Sequence, residues 1–277
     1  MTSLHSFIRA TTERFRVAGI LSPDVDSELL IANSLGISRG ELQAMAIQDS
    51  VFEPTPVLID QINLRAARIP LQHILGKAHF RQLELEVGKG VFIPRPETEA
   101  VVDVCLNLIR GLVSPKVLDI GTGSGAIAIS IATESSAEVT AIEKSVEAAS
   151  FSQKNIDKLA PKVKLLVGDF RELELGFQGF DLVVSNPPYI PLNAVPLDPE
   201  VRDHDPELAL YGGEDGLDLT REIIQAAEYL LVPGGSLVLE HADGQSDSVC
   251  ELLLGKWQKV KAYPDPTGRL RTVSATL

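Results

Sequence analysis

Val117-Leu118-Asp119-Ile120 runs directly into Gly121-Thr122-Gly123-Ser124-Gly125, and that into Ala126-Ile127-Ala128-Ile129-Ser130-Ile131-Ala132. A short apolar run, a glycine turn and a stretch with almost no polar face read as strand, tight turn and buried helix. A helix that is hydrophobic nearly all round belongs inside a layered structure, so the chain is expected to form an open α/β sheet covered by helices. The turn is also a candidate ligand loop. Glycines let the backbone bend sharply and approach a ligand, while the helix start offers free N–H donors. Gly121, Thr122, Gly123, Ser124 and Gly125 are therefore candidate cofactor-binding residues. Gly121, Gly123 and Ala126 equally satisfy the G-x-G-x-x-G/A dinucleotide pattern, so a nicotinamide cofactor stays open at this point.

Two later strands end in residues of matching use. Glu138-Val139-Thr140-Ala141-Ile142 leads to Glu143, about 20 residues past the first glycine, where an acid suits the hydroxyls of a ribose. Val163-Lys164-Leu165-Leu166-Val167 ends in Gly168-Asp169-Phe170. A carboxylate and a ring there suit an adenine amine and its flat face; the plainer alternative is a surface Asp and a core Phe.

A further apolar strand, Phe180-Asp181-Leu182-Val183-Val184-Ser185, delivers Asn186-Pro187-Pro188-Tyr189 to the edge where open α/β sheets bind ligands. Asn186 offers a carbonyl acceptor, and Pro187 and Pro188 carry no N–H, so the local main chain presents only acceptors. Tyr189 adds a flat face with a polar tip. Together they form a socket for a planar NH2 group, with Asn186, Pro187 and Tyr189 as candidate catalytic residues and all four contacting substrate. Hydride transfer has no evident use for such a socket, which weighs against the nicotinamide reading. Alone, Asn-Pro-Pro is also a common turn signal.

At this point the chain resembles the S-adenosylmethionine-dependent methyltransferases with a Rossmann-like fold, and specifically the protein-(glutamine-N5) methyltransferases that modify peptide chain release factors. Besides the glycine loop and Asn186 to Tyr189, the likeness rests on Pro70-Leu71-Gln72-His73-Ile74-Leu75-Gly76 and Phe92-Ile93-Pro94-Arg95-Pro96-Glu97-Thr98-Glu99. Gly212-Gly213-Glu214-Asp215-Gly216-Leu217-Asp218 and Asp265-x-x-Gly268-x-x-Arg271 also look like this family. Glu143 stands where many relatives would have Asp, a change that keeps the carboxylate. The resemblance implies a class I methyltransferase with a mostly parallel seven-stranded sheet, plus a small N-terminal helical domain joined by a β-hairpin. It also implies S-adenosyl-L-methionine as methyl donor, S-adenosyl-L-homocysteine as product, and the glutamine of a Gly-Gly-Gln motif in release factors as acceptor. Asn186 would contact cofactor as well as substrate. Asn-Pro-Pro-Tyr is shared with adenine-N6 methyltransferases, so a ribosomal-protein glutamine or an adenine amine in RNA or DNA is the alternative target.

Composition bears on the partner. A formal net charge of −13 and the lack of a long Lys/Arg run count against direct nucleic-acid binding. No stretch approaches the ~18 apolar residues of a membrane span, and Met1-Thr2-Ser3-Leu4-His5 lacks the features of a signal peptide, so a cytoplasmic protein is expected. A monomer is expected as well, although nothing in these features bears on oligomeric state. Cys105 and Cys250 read as ordinary buried thiols, and no Cys/His cluster has metal-ligand spacing.

Periodicity divides the chain into a helical domain at 1–76, a β-hairpin linker at 77–95 and the catalytic domain at 96–277. By its residues alone the first could be a structural cap; the resemblance implies that it recognises the protein substrate. In it, Ser22-Pro23 reads as an N-cap and first turn, and Pro54 and Pro56 open a helix reaching Ile69. Phe80 to Val87 alternates as one strand, and Gly88-Lys89-Gly90 turns it into Val91-Phe92-Ile93. Leu270-Arg271-Thr272-Val273 pairs with Val260-Lys261-Ala262-Tyr263 as a hairpin at one sheet edge. Residues 190–216 read as a lid or surface loop, with five acids from Asp198 to Glu207 facing a basic partner or plain solvent. Arg95, Glu97 and Thr98 either clamp the cofactor or pin the hairpin to the core, and no histidine is paired with an orienting acid.

Overall fold

A computed structural model describes residues 2–48 and 50–277; Met1 and Asp49, inside the expected helical domain, lie outside the described residues. The chain forms two compact units. One comprises residues up to Gly76 together with Leu197–His204, and the other Lys77–Pro196 with Asp205–Leu277.

The first unit holds α1 (Leu4–Val17), α2 (Pro23–Leu35), α3 (Arg39–Ile47), α4 (Pro56–Ala66) and α5 (Leu71–Leu75), with β1 (Thr2–Ser3) paired to β2 (Val51–Phe52). Side-chain caps start its helices. Ser3 accepts from the Ser6 N–H, Thr55 from the Leu58 N–H, and Ser38 forms a reciprocal box with Glu41. Ser22 occupies the N-cap of α2 without a side-chain capping bond, so Pro23 alone sets that first turn. The helix α4 stops short of Ile69 because Arg68 turns left-handed at φ 68°. Phe15, Leu30, Ile31, Leu42 and Leu58 fill the core between the helices.

The second unit opens with a hairpin, β3 (Lys77–Phe80) and β4 (Leu83–Glu86), paired Phe80 to Leu83. This corrects the expected single strand from Phe80 to Val87. Arg81 takes φ 51° and turns the chain, its N–H bonded to Glu99 and its guanidinium to Asp103 and Glu134. Residues 88–93 form no strand. A 3-10 turn (Pro96–Thr98) and α6 (Glu99–Leu108) follow.

The main sheet contains β5 (Lys116–Ile120), β6 (Glu138–Glu143), β7 (Lys164–Val167), β8 (Phe180–Ser185), β9 (Leu231–Glu240), β10 (Gln258–Pro264) and β11 (Leu270–Thr276). Their order is β10-β11-β9-β8-β5-β6-β7, parallel throughout except at the β9–β11 and β11–β10 pairs. The terminal hairpin thus lies at one edge, its turn closed by Asp265 Oδ1 accepting from the Thr267 and Arg269 N–H groups. The pleat sends alternate residues into two cores. Val117, Leu182 and Val184 meet α6, α7 (Ala126–Glu134) and α8 (Val146–Leu159), while Leu118, Val183, Leu237 and Leu239 meet α10 (Asp218–Leu230) and α11 (Ser246–Leu252). The chain builds outward from β5 through β6 to β7, then restarts on the other side at β8. Loops leaving β5 and β8 therefore emerge side by side, the place where such sheets bind ligands.

Residues 190–216 are not structureless. They contain α9 (Pro199–His204), a 3-10 turn at Glu207–Ala209 and an Ile190–Tyr211 bridge. Arg65 donates to Glu200 Oε1 at 2.9 Å and Arg68 lies 3.3 Å from Asp198, fixing α9 within the helical unit. Four of the five acids sit in ion pairs, the others being Asp203 with Arg202 and Asp205 with Arg95.

Candidate active site

The turn between β5 and α7 has the left-handed backbone that only glycine adopts freely: Gly121, Gly123 and Gly125 have φ of 74°, 59° and 87°. A Cβ on Gly125 would stand 2.9 Å from Ile129 Cδ1, whereas Cβ atoms on Gly121 and Gly123 would meet nothing within 4 Å. The loop is therefore packed against its own helix on one side and open on the other. Asn155, fully buried on α8, holds it from behind, donating to the Ser124 carbonyl at 2.9 Å and to the Glu86 carbonyl at 3.0 Å. Thr122 Oγ1 donates to Asp119 Oδ2 at 2.6 Å. Burial pushes the Asp119 carboxyl up to about 7.

Glu143, at the end of β6, is buried beside this loop. Its Oε2 accepts the Gly123 N–H and its Oε1 the Ser145 N–H, both at 2.8 Å. Loop and acid thus meet in one place. Asp169 follows β7, but its carboxylate is engaged by Arg171, which holds it well below the usual carboxylate range, and by Lys144 at 3.1 Å. Phe170 packs partly buried on the second core, with Arg171 5.9 Å above its ring. The open space over Gly121 and Gly123, the α7 N-terminus and the Glu143 carboxylate together fit an adenosine-bearing cofactor.

Asn186 leaves β8 part-buried, and its Nδ2 donates to Thr98 Oγ1 at 3.3 Å. Pro187 is buried, and burial pushes the Tyr189 phenol upward. The backbone beyond is pinned on both sides. Ile190 N–H bonds the Leu210 carbonyl at 2.8 Å, Gly212 N–H the Ile190 carbonyl at 2.9 Å, and Gln245 Nε2 reaches the Tyr189 carbonyl at 3.0 Å. This explains Gly212 and Gly216: Cβ atoms there would collide with the Pro188 and Tyr189 carbonyl oxygens.

Four further side chains surround the turn at Asn186 to Tyr189. Arg95 pairs with Asp205 at 2.7 Å, so it secures the chain just after α9. Thr98 touches Asn186 directly. Gln245 pins the Tyr189 carbonyl. Glu240, last in β9 and 1% exposed, is level with Asn186 because Ser185 pairs with Leu239. Its signal was an acid ending an otherwise apolar strand at the same sheet edge as the glycine loop. His241 beside it is buried, and burial lowers its pKa. Cys105 is buried and Cys250 only partly so. Among the described residues no cluster is placed to hold a metal, and no helix is long and apolar enough to cross a membrane.

Comparison with known proteins agrees with both parts of the chain. A methyltransferase-domain family matches residues 114–267, and a PrmC N-terminal domain family matches residues 6–76. The release factor glutamine methyltransferase of Streptomyces coelicolor is 43% identical over 282 residues, covering 99% of this chain and 98% of its own. That of Mycolicibacterium smegmatis is 42% identical over 284 residues, covering 100% and 98%. A solved methyltransferase from Pyrococcus furiosus shares the fold, with a TM-score of 0.52 at 21% identity over 70% of this chain and 88% of that one.

Proposed function

Because the chain belongs to the release factor glutamine methyltransferase family, we propose that it methylates the side-chain nitrogen of the glutamine in the Gly-Gly-Gln motif of release factors. The observation that carries this reading is that Asn186 directly follows β8, whose last residue Ser185 pairs with Ile120, the residue before the β5 glycine loop. Bound S-adenosyl-L-methionine supplies an electrophilic methyl group on a sulfonium. Gly121 to Gly125 and Glu143 hold its adenosine part, with Phe170 against the ring. The engagement of Asp169 by Arg171 and Lys144 leaves its carboxylate to position that corner or to exchange partners for the adenine amine.

A carboxamide nitrogen is a poor nucleophile because its lone pair is shared with the carbonyl. Asn186 Oδ1 and the Pro187 main-chain carbonyl would accept its two hydrogens and hold the lone pair toward the donor's methyl group. The new N–C bond replaces the methyl–sulfur bond, S-adenosyl-L-homocysteine leaves, and one of the nitrogen's hydrogens passes to water. Tyr189 packs on the amide plane or lines its entrance. Both acceptors bind more strongly as positive charge grows on the nitrogen, so they favour the transition state over the ground state. Holding the amide in line supplies much of the remaining acceleration. The helical unit serves as the recognition module for the protein substrate, and a cytoplasmic place of action follows from that substrate.

The test is incubation with methyl-labelled S-adenosylmethionine and separate pools of release factor, ribosomal protein and nucleic acid, with the label located by mass spectrometry. Label on the Gly-Gly-Gln glutamine supports the reading. Label confined to ribosomal protein or nucleic acid overturns it.

A further inference from the structure

Glu240 is buried beside the site. It is 1% exposed, and neither carboxylate oxygen has a hydrogen-bond partner among the described residues. An unpaired buried carboxylate is costly to a fold unless something else requires it there. Its surroundings suggest what that is. The Thr98 hydroxyl and the Asn186 amide both stand close enough to favour its charged form, and Asn186 Nδ2 already donates to Thr98 Oγ1 at 3.3 Å. Thr98 is itself 4% exposed.

We infer that Glu240 and Thr98 are positioning residues that fix which way round the Asn186 amide stands. The inference rests on the reading of Asn186 Oδ1 as the acceptor for the substrate amide. An Asn side chain is nearly symmetric in shape, and its two ends differ only in hydrogen-bonding sense. A carboxylate only accepts, so the end of Asn186 facing Glu240 has to be the NH2. Thr98 then shares that NH2 as acceptor, with its own hydrogen free to turn toward Glu240. Oδ1 is left facing outward to the substrate. A protonated Glu240 loses this discrimination, because its O–H can donate to Oδ1 and let the amide turn over.

The charged neighbours decide where that loss occurs. Glu97 of the 3-10 turn, Arg271 of β11 and Tyr189 face Glu240, and His241 follows it in the chain. Burial dominates and pushes Glu240 up to about 8, Glu97 adding to it while Thr98, Arg271 and Asn186 oppose it. The orientation should therefore tighten as pH rises through that value.

The experiment compares the wild type with Glu240→Gln, which keeps the shape and removes the charge, and with Thr98→Val and Thr98→Ser. Side-chain amide resonances of 15N-asparagine-labelled protein, assigned with Asn186→Ala, are followed from pH 6 to 9 alongside kcat and KM. The expected result is an Asn186 NH2 signal and a kcat that change together near pH 8 in the wild type. In Glu240→Gln the transition disappears and kcat falls about tenfold with KM for the release factor nearly unchanged; Thr98→Val lowers kcat, and Thr98→Ser restores it. A wild-type pH profile in Glu240→Gln, with an unmoved Asn186 signal, overturns the inference. If Asn186→Ala then still loses most of its turnover, the acceptor assignment survives. Full activity in Asn186→Ala removes that assignment and the inference with it.

Discussion

Gly212 lies directly beneath the Pro188 carbonyl, and a Cβ there would collide with that oxygen and stand 2.5 Å from the Gly216 carbonyl oxygen. Gly212 does not have left-handed backbone, so the demand is purely one of space. The glycine segment is the floor on which Asn186 to Tyr189 rest.

Gly212→Ala should push the Pro188 carbonyl aside and spoil the socket without touching the glycine loop of β5. A displacement of about 1 Å near reacting groups costs on the order of a hundredfold in rate. Methylation rates should fall by about that factor while calorimetry shows S-adenosylmethionine affinity within about threefold of wild type. An active Gly212→Ala enzyme would show that the floor yields.

Asn186→Ala removes one of the two amide acceptors. Loss of a single preorganised polar contact to developing charge typically costs about 10²–10³ in kcat. Single-turnover methylation should show that loss with cofactor binding retained. Unchanged turnover would defeat the role given to Asn186.

Much of this site was legible because its signals are local. The glycine loop, Glu143 and Asn186 to Tyr189 each follow a short apolar strand, and β8 ends where its pattern ends, at Ser185. The hairpin shifted because its turn at Arg81 is set by Glu99, Asp103 and Glu134, residues that no local pattern links to it. The fate of α9 was hidden for the same reason, since its anchors Arg65 and Arg68 lie far back in the chain. Glu240 is not legible in the sequence as a site residue because the end of β9 reads as an ordinary apolar strand, and its neighbours across the sheet come from distant segments.

Glu143→Gln sets an NH2 against one of two main-chain N–H donors, Gly123 or Ser145. Hydrogen bonds to a charged acceptor are worth about 1.5–3 kcal/mol. S-adenosylmethionine affinity should therefore drop roughly 10- to 100-fold, with Glu143→Asp falling less. Calorimetry decides it, and wild-type affinity in Glu143→Gln would remove Glu143 from the cofactor site.

Arg65, 4% exposed, donates to Asp26 at 2.7 Å, to the Ile69 carbonyl at 3.0 Å and to Glu200 at 2.9 Å. Removing one member of a buried ion pair strands the other, at about 3–5 kcal/mol. Arg65→Met should lower the urea midpoint of the helical unit by a corresponding amount and speed hydrogen exchange across Leu197–His204. Unaltered exchange there would mean that Arg65 does not anchor α9.

Asp119 makes stability depend on pH in the opposite sense from a salt-bridged acid. Its folded value of about 7 lies above the ordinary 3.8, so the native state holds a proton that the unfolded chain has released between those values. Stability should decline as pH rises from about 4 to 7, by about 1.4 kcal/mol for each unit of difference as an upper bound. Asp119→Asn should flatten that decline in denaturant titrations at several pH values. An identical slope in the variant would assign the pH dependence elsewhere.

The split of the helical unit between the chain's start and Leu197–His204 bears on how the protein is made. Glu200 is polymerised 135 residues after Arg65. At roughly 5–20 residues per second, the nascent helices wait on the order of ten seconds for their last piece. Through that interval Asp26 is, among the described residues, the one carboxylate available to Arg65, so this buried ion-pair network closes only after Glu200 has been made. Vectorial synthesis thus delays completion of the first domain until β8 and the Asn186 turn have been made.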